Sequence, residues 1–271
     1  NVLKENTFQA ACDFLALGLN PEKAIFWIQG DVPQVTELTW ILSNVVNVGL
    51  LQRSTSYKDK ISQGLTSNAG LFTYPILMAS DILLFGADIV PVGKDQKQHL
   101  EMARDMAIRF NQTFREVFII PEADINHETQ LVSGIDGRKM SKSYDNTIPV
   151  FCDEKTLKKK VMSIVTDSTP ISKPKSVDSA IFQIYSLFLD ENEKLKLKNR
   201  FNAPGLKYGD VKKEIFERIW TYFEPYRTNR SYLIKNRDHV ENILSNGAEK
   251  ASEIGEIFLE KVRNAVGLNY S

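Results

Sequence analysis

The chain has 271 residues, with 34 basic and 34 acidic side chains and a formal net charge of zero. That length buries one large core, or a large domain beside a smaller one, and the balance excludes a histone-like cationic protein. Two cysteines, Cys12 and Cys152, stand apart without metal-ligand spacing, which excludes a disulfide framework and a zinc site and fits a reducing cytoplasm.

In chain order, residues 7–19 read as an amphipathic helix, with Phe8, Ala11, Cys12, Leu15 and Leu19 at helical spacing and Asn20-Pro21-Glu22 as its stop. Ala24-Ile25-Phe26-Trp27-Ile28-Gln29 is a short apolar run bounded by turn residues, the pattern of a strand buried on both faces of a parallel sheet. A helix is expected over about 34–46 and a longer one over about 70–85. Tyr74, Met78, Asp81 and Phe85 share one face of the latter, so a carboxylate sits inside an apolar stripe. An unpaired buried charge costs several kcal/mol, roughly, so Asp81 either bonds a neighbouring donor or faces a pocket and accepts a polar hydrogen from an apolar ligand. The pattern alone leaves both readings open.

Asp88-Ile89-Val90-Pro91-Val92-Gly93 reads as the next buried strand and runs into Lys94-Asp95-Gln96 and a helix to about residue 111. Ligands of open α/β sheets bind at the carboxyl ends of strands. Gly93, Asp95 and Gln96 occupy that place, although Asp95 would look the same as a plain helix cap. Residues 117–121 look like another strand and 131–133 a short one. Beyond Pro149 the texture turns helical, with helices marked by Leu157/Val161/Ile164, by Ile181/Ile184/Tyr185/Phe188/Leu189, and near 210–223 and 248–266. The expected architecture is therefore α/β: a Rossmann-like parallel-sheet domain over 1–150 and an α-helical bundle over 151–271. From Asp153 onward there are 21 Lys/Arg against 17 Asp/Glu, a modest basic excess. No apolar run reaches the length of a membrane span.

Asp136-Gly137-Arg138-Lys139-Met140-Ser141-Lys142-Ser143-Tyr144-Asp145-Asn146 is a cationic loop whose two lysines suit a polyphosphate, since their ammonium groups can follow charge shifting between phosphate oxygens. Other templates fail: there is no Gly-x-x-x-x-Gly-Lys-Ser/Thr loop, no Gly-x-Gly-x-x-Gly, no Gly-x-Ser-x-Gly and no His-Glu-x-x-His. His99, His127 and His239 are scattered and read as structural or solvated.

The complete Lys139-Met140-Ser141-Lys142-Ser143 stretch resembles the signature loop of the class I aminoacyl-tRNA synthetases. Tyr74-Pro75-Ile76-Leu77-Met78-Ala79-Ser80-Asp81-Ile82 and Val90-Pro91-Val92-Gly93-Lys94-Asp95-Gln96 are similar to the amino-acid and nucleotide segments of bacterial tryptophanyl-tRNA synthetases. Tyr57-Lys58-Asp59-Lys60 resembles their further phosphate-lysine segment, and the likeness continues through Val165-Thr166-Asp167-Ser168 to Val266-Gly267-Leu268.

The resemblance implies an ATP-dependent tryptophan–tRNA ligase. Asp81 would accept the indole N–H, with Tyr74, Met78, Ile82, Val90 and Val92 around the ring and Gln96 at the substrate's ammonium or carboxylate. Val132 and Met140 would touch adenine, and Gly93, Lys94 and Asp95 the nucleotide. Lys60, Lys139 and Lys142 would neutralise the phosphates, helped by Ser141 and Ser143, with Mg2+ carried by ATP and pyrophosphate and no protein metal site. The helical part would read tRNA(Trp), and the family implies a homodimer in the cytoplasm without membrane attachment. The family's first strand and its glycine- and histidine-bearing loop have no counterpart before Asn1, so an amino-terminally truncated form with impaired activity is expected. The competing expectation is an inactive, synthetase-like protein that binds tryptophan or nucleotide as a regulator.

Overall fold

The computed structural model describes residues 2–62, 64, 66, 68–125 and 132–269, without the side chains of residues 55, 56, 59 and 95. The chain forms two compact units: unit 1 comprises Asn1–Glu128 and Asn236–Ser271, and unit 2 Thr129–Lys235. The chain passes between the units twice, at 128/129 and again at 235/236, where the sequence expectation drew one division at 150/151.

In unit 1, α1 (Val2–Ala16) buries Phe8, Ala11, Cys12, Leu15 and Ala16. It stops earlier than Asn20-Pro21. Gly18 takes φ 109, and the N–H groups of Gly18 and Leu19 close on the carbonyls of Leu15 and Phe14, a Schellman ending that a side chain with Cβ would resist. Residues 24–28 are not a strand, correcting the sequence expectation. Their side chains are only partly buried or exposed, and the ladder that defines a strand is absent there among the described residues.

Next come α2 (Gln34–Ser43), α3 (Val48–Gln52), α4 (Thr55–Ser62) and α5 (Ala69–Leu83). Asn68 caps α5 by accepting from the Leu71 N–H at 2.7 Å, and Pro75 inside the helix lacks the N–H that would bond back one turn. α5 packs against α2 and against α6 (Lys97–Thr113). The core contributed by these helices includes Leu38, Leu42, Ile76, Leu83, Leu100, Met106 and Phe110.

Two parallel strands are described, β1 (Ile89–Pro91) and β2 (Glu122–Asp124), with Val90 opposite Ala123 and α6 as the crossover. This βαβ unit is the Rossmann-like element, and the α/β class holds. Details differ from expectation. Ile89 is 63% exposed, so β1 is not buried on both faces. The second strand lies at 122–124 rather than 117–121, because Asn111 satisfies the earlier stretch: its Oδ1 accepts from the N–H groups of Val117 and Phe118 at 3.0 Å, and its Nδ2 donates to the Phe118 carbonyl at 2.8 Å. Phe118 then enters the core as part of a loop.

Unit 2 holds α7 (Glu154–Met162), α8 (Ala180–Ser186), α9 (Glu191–Asn202), α10 (Tyr208–Tyr222) and α11 (Glu224–Lys235) around Leu157, Val161, Ile181, Phe201, Val211 and Ile215. The last helix, α12 (Arg237–Val266), lies in unit 1, where Leu259 and Val262 join the core and Arg263 grips Glu37 through two 2.7 Å bonds. Among the described residues no helix is long and apolar enough to cross a membrane.

Candidate functional site

Helix α5 places Tyr74, Met78 and Asp81 by its period, and β1 brings Val90 and Val92 to its carboxyl end, where the Val92 N–H bonds the Asp124 carbonyl at 3.1 Å. Asp81 is half-buried. Its two oxygens accept from the side-chain amide of Gln29 at 2.8 and 2.7 Å. Burial pushes the Asp81 carboxyl pKa up, and the Gln29 bond pulls it down less strongly. Its bound partner is a neutral amide, and among the described residues no cation pairs with it. Gln29 was not anticipated. Its only sequence signal is an amide ending an otherwise apolar run.

Tyr74 and Gln96 meet through His99. The Tyr74 hydroxyl lies 2.5 Å from His99 Nε2, and His99 Nδ1 lies 2.9 Å from Gln96 Oε1. A carbonyl oxygen only accepts, so Nδ1 carries the proton and, in the neutral ring, Nε2 accepts from Tyr74. His99 is buried and joins two of the anticipated residues. Lys60, near the end of α4, lies over the Tyr74 ring with its ammonium 5.4 Å from the centroid. Met78, Val90 and Val92 pack partly buried against the core, whereas Ile82 is itself a core residue. Gly93 is extended, with φ −67 and ψ 156, and Lys94 is exposed beside it. Asp95 lies in a 3-10 turn with its side chain outside the described residues, as are His127 and Leu131 altogether.

In unit 2 the lysine loop is a small hairpin. Ser133 bridges Lys139 in antiparallel fashion, the Met140 N–H bonds the Val132 carbonyl at 2.8 Å, and the Gly134 N–H bonds the Arg138 carbonyl at 2.7 Å. Val132 and Met140 therefore sit side by side. Gly137 makes the turn with φ 82. Ser141 caps the following 3-10 turn, accepting from the Ser143 N–H at 3.3 Å, and its hydroxyl meets that of Ser143 at 2.8 Å. Asp145 adopts the left-handed region with φ 48 and accepts from Lys160 at 3.0 Å. The Asp136 carboxyl is held down to a pKa of about 2, first by the Asn146 amide and then by bonds from Arg138. Lys139 and Lys142 are exposed, and among the described residues neither has an ion-pair partner. Two unpaired ammonium groups on a backbone fixed at both ends can bind an anion with several oxygens. Among the described residues no group of three or more His, Cys, Asp or Glu side chains converges as a metal site.

The family model described as "tRNA synthetases class I (W and Y)" matches residues 1–224. The chain belongs to that class I synthetase family. It is 51% identical over 267 residues to a tryptophan–tRNA ligase of Fusobacterium nucleatum, covering 98% of this chain and 82% of that protein. A tryptophan–tRNA ligase of Campylobacter jejuni is 48% identical, with 98% and 84% covered. The crystal structure of tryptophanyl-tRNA synthetase from Campylobacter jejuni complexed with ADP and tryptophan superposes on this synthetase with a TM-score of 0.91 at 48% identity, covering 98% of this chain and 83% of that one. Another from Mycoplasma pneumoniae gives a TM-score of 0.79 at 29% identity, with coverage of 98% and 83%.

Proposed function

We propose that this synthetase is a tryptophan–tRNA ligase that activates L-tryptophan with ATP and transfers it to tRNA(Trp). The observation that carries the substrate assignment is Asp81, a half-buried carboxylate on an apolar helix face whose bound partner, Gln29, is neutral. The carboxyl oxygens that accept from this amide can accept the indole N–H in its place, and phenylalanine, which has no such hydrogen, would leave that acceptor without its ligand. Gln96, joined to Tyr74 through His99, meets the ammonium or carboxylate in this reading, and Tyr74, Met78, Val90 and Val92 contact the ring.

The tryptophan carboxylate attacks the α-phosphorus of ATP. A phosphorus–oxygen bond forms as the bond to the bridging oxygen breaks, and pyrophosphate leaves with that electron pair. A ribose hydroxyl of the tRNA then attacks the activated carbonyl: the ester bond forms, the bond from the carbonyl carbon to the phosphate oxygen breaks, and AMP leaves with that electron pair while its phosphate takes up the hydroxyl proton. No protein nucleophile is required. Lys139 and Lys142, with Lys60, stabilise charge on the departing phosphates, and Ser141 and Ser143 shape the loop that presents the lysines. Magnesium is proposed to arrive bound to the nucleotide's own phosphate oxygens. Gly93, Lys94 and Asp95 are assigned to the nucleotide, Val132 and Met140 to adenine, the helices of 154–235 to tRNA contact, and the working form to a homodimer.

The test is tryptophan-dependent exchange of pyrophosphate into ATP, followed by charging of tRNA(Trp). Asp81→Asn should lower kcat/KM for tryptophan by about 10- to 100-fold, the worth of one hydrogen bond to a charged group, with KM for ATP shifting less than about twofold when a uniform binding contact to tryptophan alone is removed. An Asp81→Asn enzyme with wild-type tryptophan kinetics would remove the assignment.

A further inference from the structure

We propose that Asn146 is a positioning residue that fixes the backbone on either side of Met140 and thereby sets where the lysines of the loop point. The proposal rests on reading that loop as the ATP-phosphate site.

Asn146 is 1% exposed and spends its whole side-chain amide on the loop. Its Nδ2 donates to the Lys139 carbonyl at 3.0 Å and to Asp136 Oδ1 at 2.8 Å, while its Oδ1 accepts from the Ser141 N–H at 2.7 Å. One N–H and one C=O flanking a single residue are what a neighbouring strand would satisfy. Here a single buried side chain does it, so the peptide units on both sides of Met140 are tied down on the edge opposite the one where the Met140 N–H bonds the Val132 carbonyl. Its backbone is also fixed, since the Asn146 carbonyl accepts from the Ile135 N–H at 3.0 Å.

Gly134 leaves the space this requires, because a Cβ there would lie 2.3 Å from Asn146 Nδ2. Residue 145 just before it holds the left-handed region, with φ 48, and its carboxylate accepts from Lys160 at 3.0 Å. Asn146 is buried and the lysine side chains are exposed, so it acts through the loop backbone and not on the ligand. A misplacement of about 1 Å at such a site can cost on the order of 100-fold in rate.

Asn146→Asp preserves size and the acceptor for Ser141, but it replaces the donor facing Asp136 with a second carboxylate. We expect kcat for pyrophosphate exchange to fall about 10-fold or more, with KM for tryptophan within about twofold of wild type, as for a contact felt in the transition state. Adding Asp136→Asn restores a donor across the same gap and should recover several-fold of the loss, while Asp136→Asn alone stays near wild type. Gly134→Ala, which presses on the amide from the other side, should give the same kcat-selective loss and serves if the first variant does not fold. Wild-type kinetics in Gly134→Ala or Asn146→Asp, or a defect that Asp136→Asn fails to relieve, overturns the proposal provided that Lys139→Gln and Lys142→Gln lower exchange. If those lysine changes are also silent, the phosphate-site reading fails instead.

Discussion

Asp81 sets recognition against stability. A half-buried carboxylate whose pKa is raised by desolvation binds its proton more readily folded than unfolded. By linkage, stability then falls as pH rises from the unfolded value of 3.8 through the higher folded one, so the penalty is greater at neutral than at acid pH. Asparagine at this position carries no charge to desolvate, and its carbonyl can still accept from Gln29. Asp81→Asn should therefore melt at the same temperature as wild type or higher at pH 7, with any advantage shrinking as the pH is lowered through the carboxylate range. Differential scanning calorimetry across that range checks it, and a variant markedly less stable at pH 7 would mean that the carboxylate is needed for folding. Sequence pattern exposed this residue because a charge interrupts an apolar stripe. It could not expose Gln29, 52 positions away, since only the tertiary fold brings that amide to it.

At the level of elements, legibility followed hydrophobic periodicity. α5 and α6 were readable because apolar residues recur at helical spacing in each, and the lysine loop was readable because its glycines and lysines form a dense motif. α9 was not: among Glu191–Asn202 only Leu197 and Phe201 are buried, so the apolar signal is too sparse to mark a helix. Its start is written instead in a capping box. Asp190 accepts from the Glu193 N–H at 2.8 Å, and Glu193 accepts from the Asp190 N–H at 3.0 Å. Asp190→Ala should cost about 1 kcal/mol, measured by urea denaturation followed at the helical signal, while Asp190→Ser should recover most of it. The strands were misplaced for the opposite reason. Apolar runs at 24–29 and 117–121 have the composition of strands, but periodicity says nothing about where backbone hydrogen bonds go, and the side chain of Asn111 takes those of the second run.

At the scale of the whole molecule, α12 belongs to unit 1 although it follows unit 2 in the chain, which no boundary drawn from composition anticipated. Its return to unit 1 depends on small residues. A Cβ on Gly247 would lie 2.0 Å from the Phe26 carbonyl oxygen, so the helix rests directly on the backbone of the 24–28 segment. A Cβ on Gly255 would meet the side chain of Leu84 at 3.1 Å, a contact that a rotamer shift can relieve, and one on Gly209 in α10 would meet nothing within 4 Å. Three alanine substitutions then differ only in what the added methyl encounters. Gly209→Ala should be neutral or stabilising by up to about 1 kcal/mol, because alanine orders a helix at less entropic cost than glycine. Gly255→Ala should be mildly destabilising, and Gly247→Ala should reach or exceed the roughly 1–3 kcal/mol of an overpacked core, since a backbone carbonyl cannot move aside without its segment. Thermal midpoints in that order would establish that α12 is seated on the 24–28 segment. A Gly247→Ala protein as stable as Gly209→Ala would show that the last helix does not make this contact in solution, and that the core residues it carries, Leu259 and Val262, are held by the Arg263–Glu37 pair and the α2 face instead.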